Sequence, residues 1–188
     1  KALQLSADLP IARRMLAQVY LRTGQPQKSL QTLDPLLSRN PGPGTLQLAA
    51  EAYLQTGDAE RAEKLYERAS KLKPDDPQAL NALGYTLVDR TARTEEGRAL
   101  IEKALKLSPD DPFILDSMGW ALFKLGRYDD AVVYLGRAYA GRPDAEIAAH
   151  LGEVLWVKGE RDRAKEIWAA QLKDAPDHPV LLETMRRL

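Results

Sequence analysis

The chain has 188 residues, 44% of them hydrophobic and 29% charged, with 27 basic side chains against 27 acidic ones. That balance removes any global attraction for nucleic acid or anionic membrane, and the absence of cysteine excludes disulfides and thiolate chemistry. No run approaches the ~18 consecutive apolar residues of a membrane helix, and no signal peptide or lipobox stands at the N-terminus.

In chain order, residues 1–9 (KALQLSADL) read as the tail of a truncated helix, so the chain is expected to be a piece of something longer. Residues 10–42 form a helix pair turning at Gly24. Pro26 opens its second helix, and Pro35, inside that helix's pattern, predicts a kink or early fraying. Residues 43–76 form the next pair, with Gly57 as turn and Asp58 as cap. Residues 77–111 carry one extra residue, and their turn at 89–94 lacks glycine. Thr94 is the expected cap there, and Gly97 replaces the usual alanine, weakening that helix by up to ~1 kcal/mol. This pair is the predicted weak point. Residues 112–144 are the cleanest pair. Asp111 caps its first helix and Pro112 opens it, because a missing N–H costs nothing at the first helical position. Leu115, Met118, Gly119 and Leu122 recur at helical spacing, and Gly126 ends that helix. Residues 128–140 form its second helix, with Ala131, Leu135 and Ala138 inward. Residues 145–178 turn at Gly159. Residues 179–188 start one more helix, a capping helix with Glu183, Arg186 and Arg187 on its exposed face.

Three columns recur through these pairs. A small residue of the first helix stands at Ala17, Ala50, Gly84, Gly119 and Gly152, at spacings of 33, 34, 35 and 33. A small residue of the second helix stands at Ser29, Ala62, Gly97, Ala131 and Ala164, and a closing proline at Pro41, Pro74, Pro109, Pro143 and Pro176. Large residues follow late in each helix: Tyr20, Tyr53, Leu87, Leu122 and Leu155, then Leu33, Tyr66, Ile101, Leu135 and Trp168. A helix pair this short cannot bury both apolar faces alone and needs neighbours of its own shape. The pattern resembles the tetratricopeptide (TPR) repeat over almost the whole chain. The resemblance implies an all-α fold, a right-handed superhelical α-solenoid of five helix pairs plus partial terminal helices.

The two ends resemble different branches of that family. AQVYLRTGQPQKSL and AEAYLQTGDAERAEKLYERA look like bacterial TPR proteins beside exopolysaccharide and exosortase systems. From Asn81 onward, NALGYTLVDRT, DSMGWALFKLGRYDDAVVYL and AAHLGEVLWVKGERDRAKEIW are similar to proteobacterial outer-membrane TPR lipoproteins, a group that includes a protease adaptor. Two readings stand: a natural proteobacterial protein, periplasmic or attached to the outer membrane, or an engineered fusion joined near 59–73 or the PDDP linker.

Candidate chemistry is sparse. His150 and His178 have no metal-ligand partner at one-turn spacing, and His178 sits where a helix cap is expected. The pairs Asp75-Asp76, Asp110-Asp111 and Asp129-Asp130 stand near helix starts, where carboxylates favour the dipole. No G-x-S-x-G or phosphate loop occurs. Catalysis, cofactors and metals are therefore not expected. In TPR arrays the first helices line a groove that holds partners. The resemblance directs Arg14, Gln18, Leu21 and Arg22, then Gln47, Glu51, Leu54 and Gln55, outward from the first two pairs. It does the same for Gln78, Asn81, Tyr85, Val88 and Asp89, then Phe113, Asp116, Trp120, Phe123 and Lys124, then Ala149, Glu153, Trp156 and Val157. The aromatic residues suit interface anchors, with Trp120 and Trp156 foremost. The carboxylate clamp of chaperone-tail-binding TPRs is not assembled, since Gln18, Glu51, Tyr85, Trp120 and Glu153 occupy its positions. The expected function is a non-catalytic adaptor for a protein or peptide, such as a periplasmic enzyme or envelope component. The alternative is a structural building block that self-associates through its array ends.

Overall fold

The computed structural model describes residues 10–188, so the expected helix tail at 1–9 lies outside the described residues. Among the described residues every regular element is an α-helix. The chain divides into two compact units, the first ending at Thr86 and the second running from Leu87 to Leu188.

The first unit contains α1 (Pro10–Arg22), α2 (Pro26–Leu37), α3 (Pro43–Gln55) and α4 (Ala59–Leu72), and α5 (Pro77–Arg90) carries the boundary. Helix α1 packs on α2, α3 on α4, and α2 on α3. Ala17, Leu33 and Ala49, one from each of three successive helices, form a core that Leu30, Leu48 and Leu65 extend. Each pair therefore buries its second apolar face on the next one.

The second unit contains α6 (Thr94–Leu107), α7 (Pro112–Lys124), α8 (Tyr128–Gly141), α9 (Ala145–Val157), α10 (Arg161–Asp174) and α11 (Pro179–Arg187). Its core repeats that logic, with Leu115, Ala138 and Ile147 from α7, α8 and α9 in contact. Helix α11 packs on α9 through Leu181 and Thr184.

The glycine turns follow from backbone chemistry. Gly24, Gly57, Gly126 and Gly159 all have positive φ, between 67° and 90°. The residue after each donates its N–H to the carbonyl of Tyr20, Tyr53, Leu122 or Leu155, at 2.8 to 2.9 Å. The glycine N–H itself reaches Leu21, Leu54, Phe123 or Trp156. This is the Schellman arrangement, which satisfies the last carbonyls of a helix and reverses the chain. Aspartates answer the opposite need at helix starts: Asp58 Oδ1 accepts from Arg61 N, and Asp111 Oδ1 accepts from Phe113 N and Ile114 N.

Two sequence expectations change, at Thr94 and His178, and a third, at Pro35, is met in part. Thr94 is the first residue of α6 rather than its cap; Arg93 holds the N-cap position, and Thr91 Oγ1 organises the glycine-free turn by accepting from Arg93 N. Pro35 brings the early end expected of a proline inside the helix pattern. It sits in the last turn of α2, which ends after 12 residues where α4, α6, α8 and α10 run to 14. His178 occupies the N-cap position of α11, yet its side chain makes no capping bond.

The tightest approaches lie at the small-residue column. A Cβ on Gly119 would meet Leu135 Cγ at 2.5 Å and the Ala131 carbonyl at 3.1 Å, and one on Gly152 would land on the Trp168 ring. Gly136, also helical, has nothing within 4 Å of its Cβ position. Gly119→Ala and Gly152→Ala should each destabilise the chain by about 1–3 kcal/mol through overpacking. Gly136→Ala should instead be neutral or stabilising by up to ~1 kcal/mol through helix propensity. Thermal melts of the three variants test this; equal shifts at all three positions would refute it.

Candidate functional site

The first helices of the second unit share one register, so residues one repeat apart become neighbours. Asp116 of α7 and His150 of α9 are 34 positions apart, and His150 Nδ1 lies 2.9 Å from Asp116 Oδ1. A carboxylate only accepts, so Nδ1 carries the proton and donates it. Glu153 of α9 and Arg187 of α11 are also 34 apart and form a two-bond pair at 2.9 and 2.7 Å. Trp120 stacks on the His150 ring at 4.3 Å, and its Nε1–H donates to Asp89 Oδ1 at 3.2 Å. A ladder of polar contacts thus runs from the end of α5 through α7 and α9 to α11.

Aromatic rings flank this ladder. Phe123 lies 5.1 Å from Trp120 and 5.7 Å from Tyr128, with interplanar angles of 35° and 46°. Lys124 Nζ stands 4.8 Å from the Trp120 ring centroid. Trp156 tilts against the buried Trp168 at 5.8 Å, and Arg161 and Lys165 stand over it at 5.0 and 5.9 Å.

The expected outward residues divide. Phe113 is 44% exposed and Lys124 is exposed, while Phe123, Trp156 and Tyr85 are half-buried. Trp120, at 6%, is buried, with His150 and Lys124 against its ring, and it does not project. Val88, Asn81, Asp116 and Glu153 are buried as well, as are Leu21 and Ala149. Asn81 and Tyr85 belong to the first unit; the other eight expected site residues belong to the second. Sequence reasoning misses the contacts of His150 and Arg187, because it weighs His150 alone and sets Arg187 toward solvent. The signal is present in the repeat length itself, since residues a full repeat apart on first helices lie side by side.

The ladder joins successive first helices of the second unit. Among the described residues no group of three or more His, Cys, Asp and Glu side chains could hold a metal ion. No helix of the described residues is long and apolar enough to cross a membrane.

A sequence model described as "Tetratricopeptide repeat" matches residues 42–175, and a second with the same description matches 10–35. The chain belongs to the tetratricopeptide repeat family. The TPR repeat-containing protein PA4667 of Pseudomonas aeruginosa is 43% identical over 81 residues, which are 43% of this chain and only 14% of that relative. The thermophilic TPR protein TTC0263 of Thermus thermophilus superposes with a TM-score of 0.81 at 22% identity, covering 93% of this chain and 94% of its own. MamA from Desulfovibrio magneticus RS-1 gives 0.66 at 21% identity, covering 88% and 96%. The fold is thus that of known TPR solenoids, and TPR proteins generally mediate protein–protein interactions. The comparisons establish this family and no narrower branch. The family match runs unbroken through 59–73 and the PDDP linker, so it lends no support to a joint between two arrays.

The buried Asp116–His150 pair gives the second unit a pH dependence. Burial pulls the imidazole down, but Asp116, by charge and hydrogen bond, and then Glu146 and Glu153 more than offset it, leaving His150 raised above its ordinary value. An unfolded histidine titrates near ~6.5. The stabilisation is therefore complete below that pH and is lost as pH rises through the folded value. Urea unfolding across this window should show stability falling with rising pH, and His150→Asn should flatten the fall. An imidazole titration by NMR with a midpoint at or below ~6.5 would refute the assignment.

Proposed function

We propose that the chain is a non-catalytic scaffold that holds a protein partner on the first-helix face of its second unit. The observation that carries this reading is a pair of half-buried, partly open rings: Phe123 packed on Trp120, which Asp89 and His150 hold, and Trp156 packed on the buried Trp168. Aromatic rings set on a rigid backing bury large area at little entropic cost, the property of interface anchors. Phe113, Lys124 and Tyr128 extend the open part of the same repeats. The resemblance of the stretch from Asn81 to outer-membrane TPR lipoproteins directs the search to envelope proteins, among them periplasmic enzymes.

The test uses the immobilised chain and a proteobacterial envelope extract. A partner captured by the wild type should be lost from Phe123→Ala/Trp156→Ala, while circular dichroism stays unchanged. Undiminished capture by the double variant would overturn this face as the site. Trp120 is unsuitable for the test, because its removal opens the core.

A second reading, assembly between copies of the chain, has its own observation. Ile11, Met15 and Val19 form an exposed apolar stripe at helical spacing on α1, each more than half exposed. On this reading sedimentation velocity should find oligomers that Met15→Lys dissociates; a monomer at all concentrations would exclude it.

A further inference from the structure

We propose that the edge formed by the α7–α8 and α9–α10 turns docks an acidic, apolar-containing peptide segment of the partner protein. The proposal rests on the scaffold reading above and names the chemistry of what that face takes.

The two turns lie side by side because Lys158, at the end of α9, bonds Asp129, at the start of α8, at 2.6 Å. Each helix leading into a turn carries, in its last two turns, an indole with a cation over it: Lys124 over Trp120, and Arg161 with Lys165 over Trp156. Most charges along this edge neutralise one another. Arg127 pairs with Asp130, Lys158 with Asp129 and Glu160, and Arg163 with Glu160. Lys124, Arg161 and Lys165 are different. All three are exposed, and none has a carboxylate in ion-pair range among the described residues.

A ring face attracts a cation through its quadrupole without cancelling the charge. The three cations are thus held in place yet remain available. An incoming carboxylate meets a positioned charge, and less side-chain entropy is lost on binding. Asp162 and Glu166, the other unpaired charges here, lie about 100° round α10 from the Arg161–Lys165 stripe. The neighbouring Phe123 and Tyr128 rings and Val157, which is 45% exposed, supply apolar contact between the cationic points. This alternation fits a peptide with spaced carboxylates and apolar side chains. A continuous polyphosphate backbone fits less well, because Asp129, Asp130, Glu160, Asp162 and Glu166 stand on the same edge and the chain has no net charge.

The test selects a random phage-displayed peptide library on the full chain, then measures synthetic winners by fluorescence anisotropy. Enriched peptides should combine Asp or Glu with apolar residues. Their affinity should fall roughly tenfold in Lys124→Gln/Arg161→Gln/Lys165→Gln, as three exposed ion pairs of modest strength allow. It should fall similarly when the peptide carboxylates become amides, and Lys124→Arg should retain binding. All three substitutions are at exposed positions, and circular dichroism confirms that the triple variant folds. Binding unchanged in the triple variant overturns the location. Winners without acidic enrichment overturn the chemistry while leaving the scaffold reading to its own capture assay. Single-stranded oligothymidine bound as tightly as the acidic peptide overturns the choice of partner, and a library that yields no binder overturns the proposal.

Discussion

The second unit depends on how closely its first and second helices approach. At Gly119 and Gly152 there is no room for a side chain, because Leu135 with the Ala131 carbonyl, and the Trp168 ring, already fill it. Contact this close has consequences beyond dispersion energy. It fixes the height of α7 against α8 and of α9 against α10, since sliding either helix would set a larger residue at the crossing. Interiors packed this densely have discrete arrangements rather than continuous ones. Two helix pairs locked in the same internal register then stack with their first helices level, and residues a repeat apart come into contact.

That level stacking is what lets the polar ladder be buried. Asp116, Glu153 and His150 are all largely removed from water, where an unpaired charge costs several kcal/mol. Each finds its partner on the neighbouring first helix rather than on its own. Arg187 matters most in this respect: its side chain, 56% exposed, stays in reach of water while its fork holds the buried Glu153 carboxylate. The last helix therefore closes the unit with a charge as well as with Leu181. The accommodation is not complete, since Trp168 Nε1, pressed over Gly152, makes no hydrogen bond among the described residues. The same close contact that sets the register leaves that indole no acceptor.

Local and periodic features are legible in the sequence, and the lateral ones are not. Turn glycines, the caps at Asp58 and Asp111 and the inward Ala131, Leu135 and Ala138 all follow from chemistry within a few residues. Thr94 reads as a cap only because its turn lacks glycine; Thr91, not the helix's first residue, organises the backbone there. A helical wheel makes Trp120 project because it knows nothing of the next repeat. Its ring is covered by His150, 30 positions later, and tied to Asp89, 31 positions earlier. The same wheel sends Val88 toward solvent, although it is buried. Partnerships like these become readable only when the repeat length is used as a contact rule.

Charge shows the same gap between bulk and local description. The balanced total excludes a long-range field, yet it says nothing about which charges are already engaged. An exposed cation–π contact is worth about 0.5–1 kcal/mol, close to the ~0.2–1 kcal/mol of an exposed ion pair. Resting Lys124, Arg161 and Lys165 on tryptophan rings therefore sacrifices little stability relative to pairing them with carboxylates. The difference lies in what each arrangement leaves open. An ion pair such as Arg127–Asp130 must be broken before either charge can serve a partner. A cation over an indole keeps its outer hemisphere unengaged, and a partner carboxylate adds to the contact instead of replacing it.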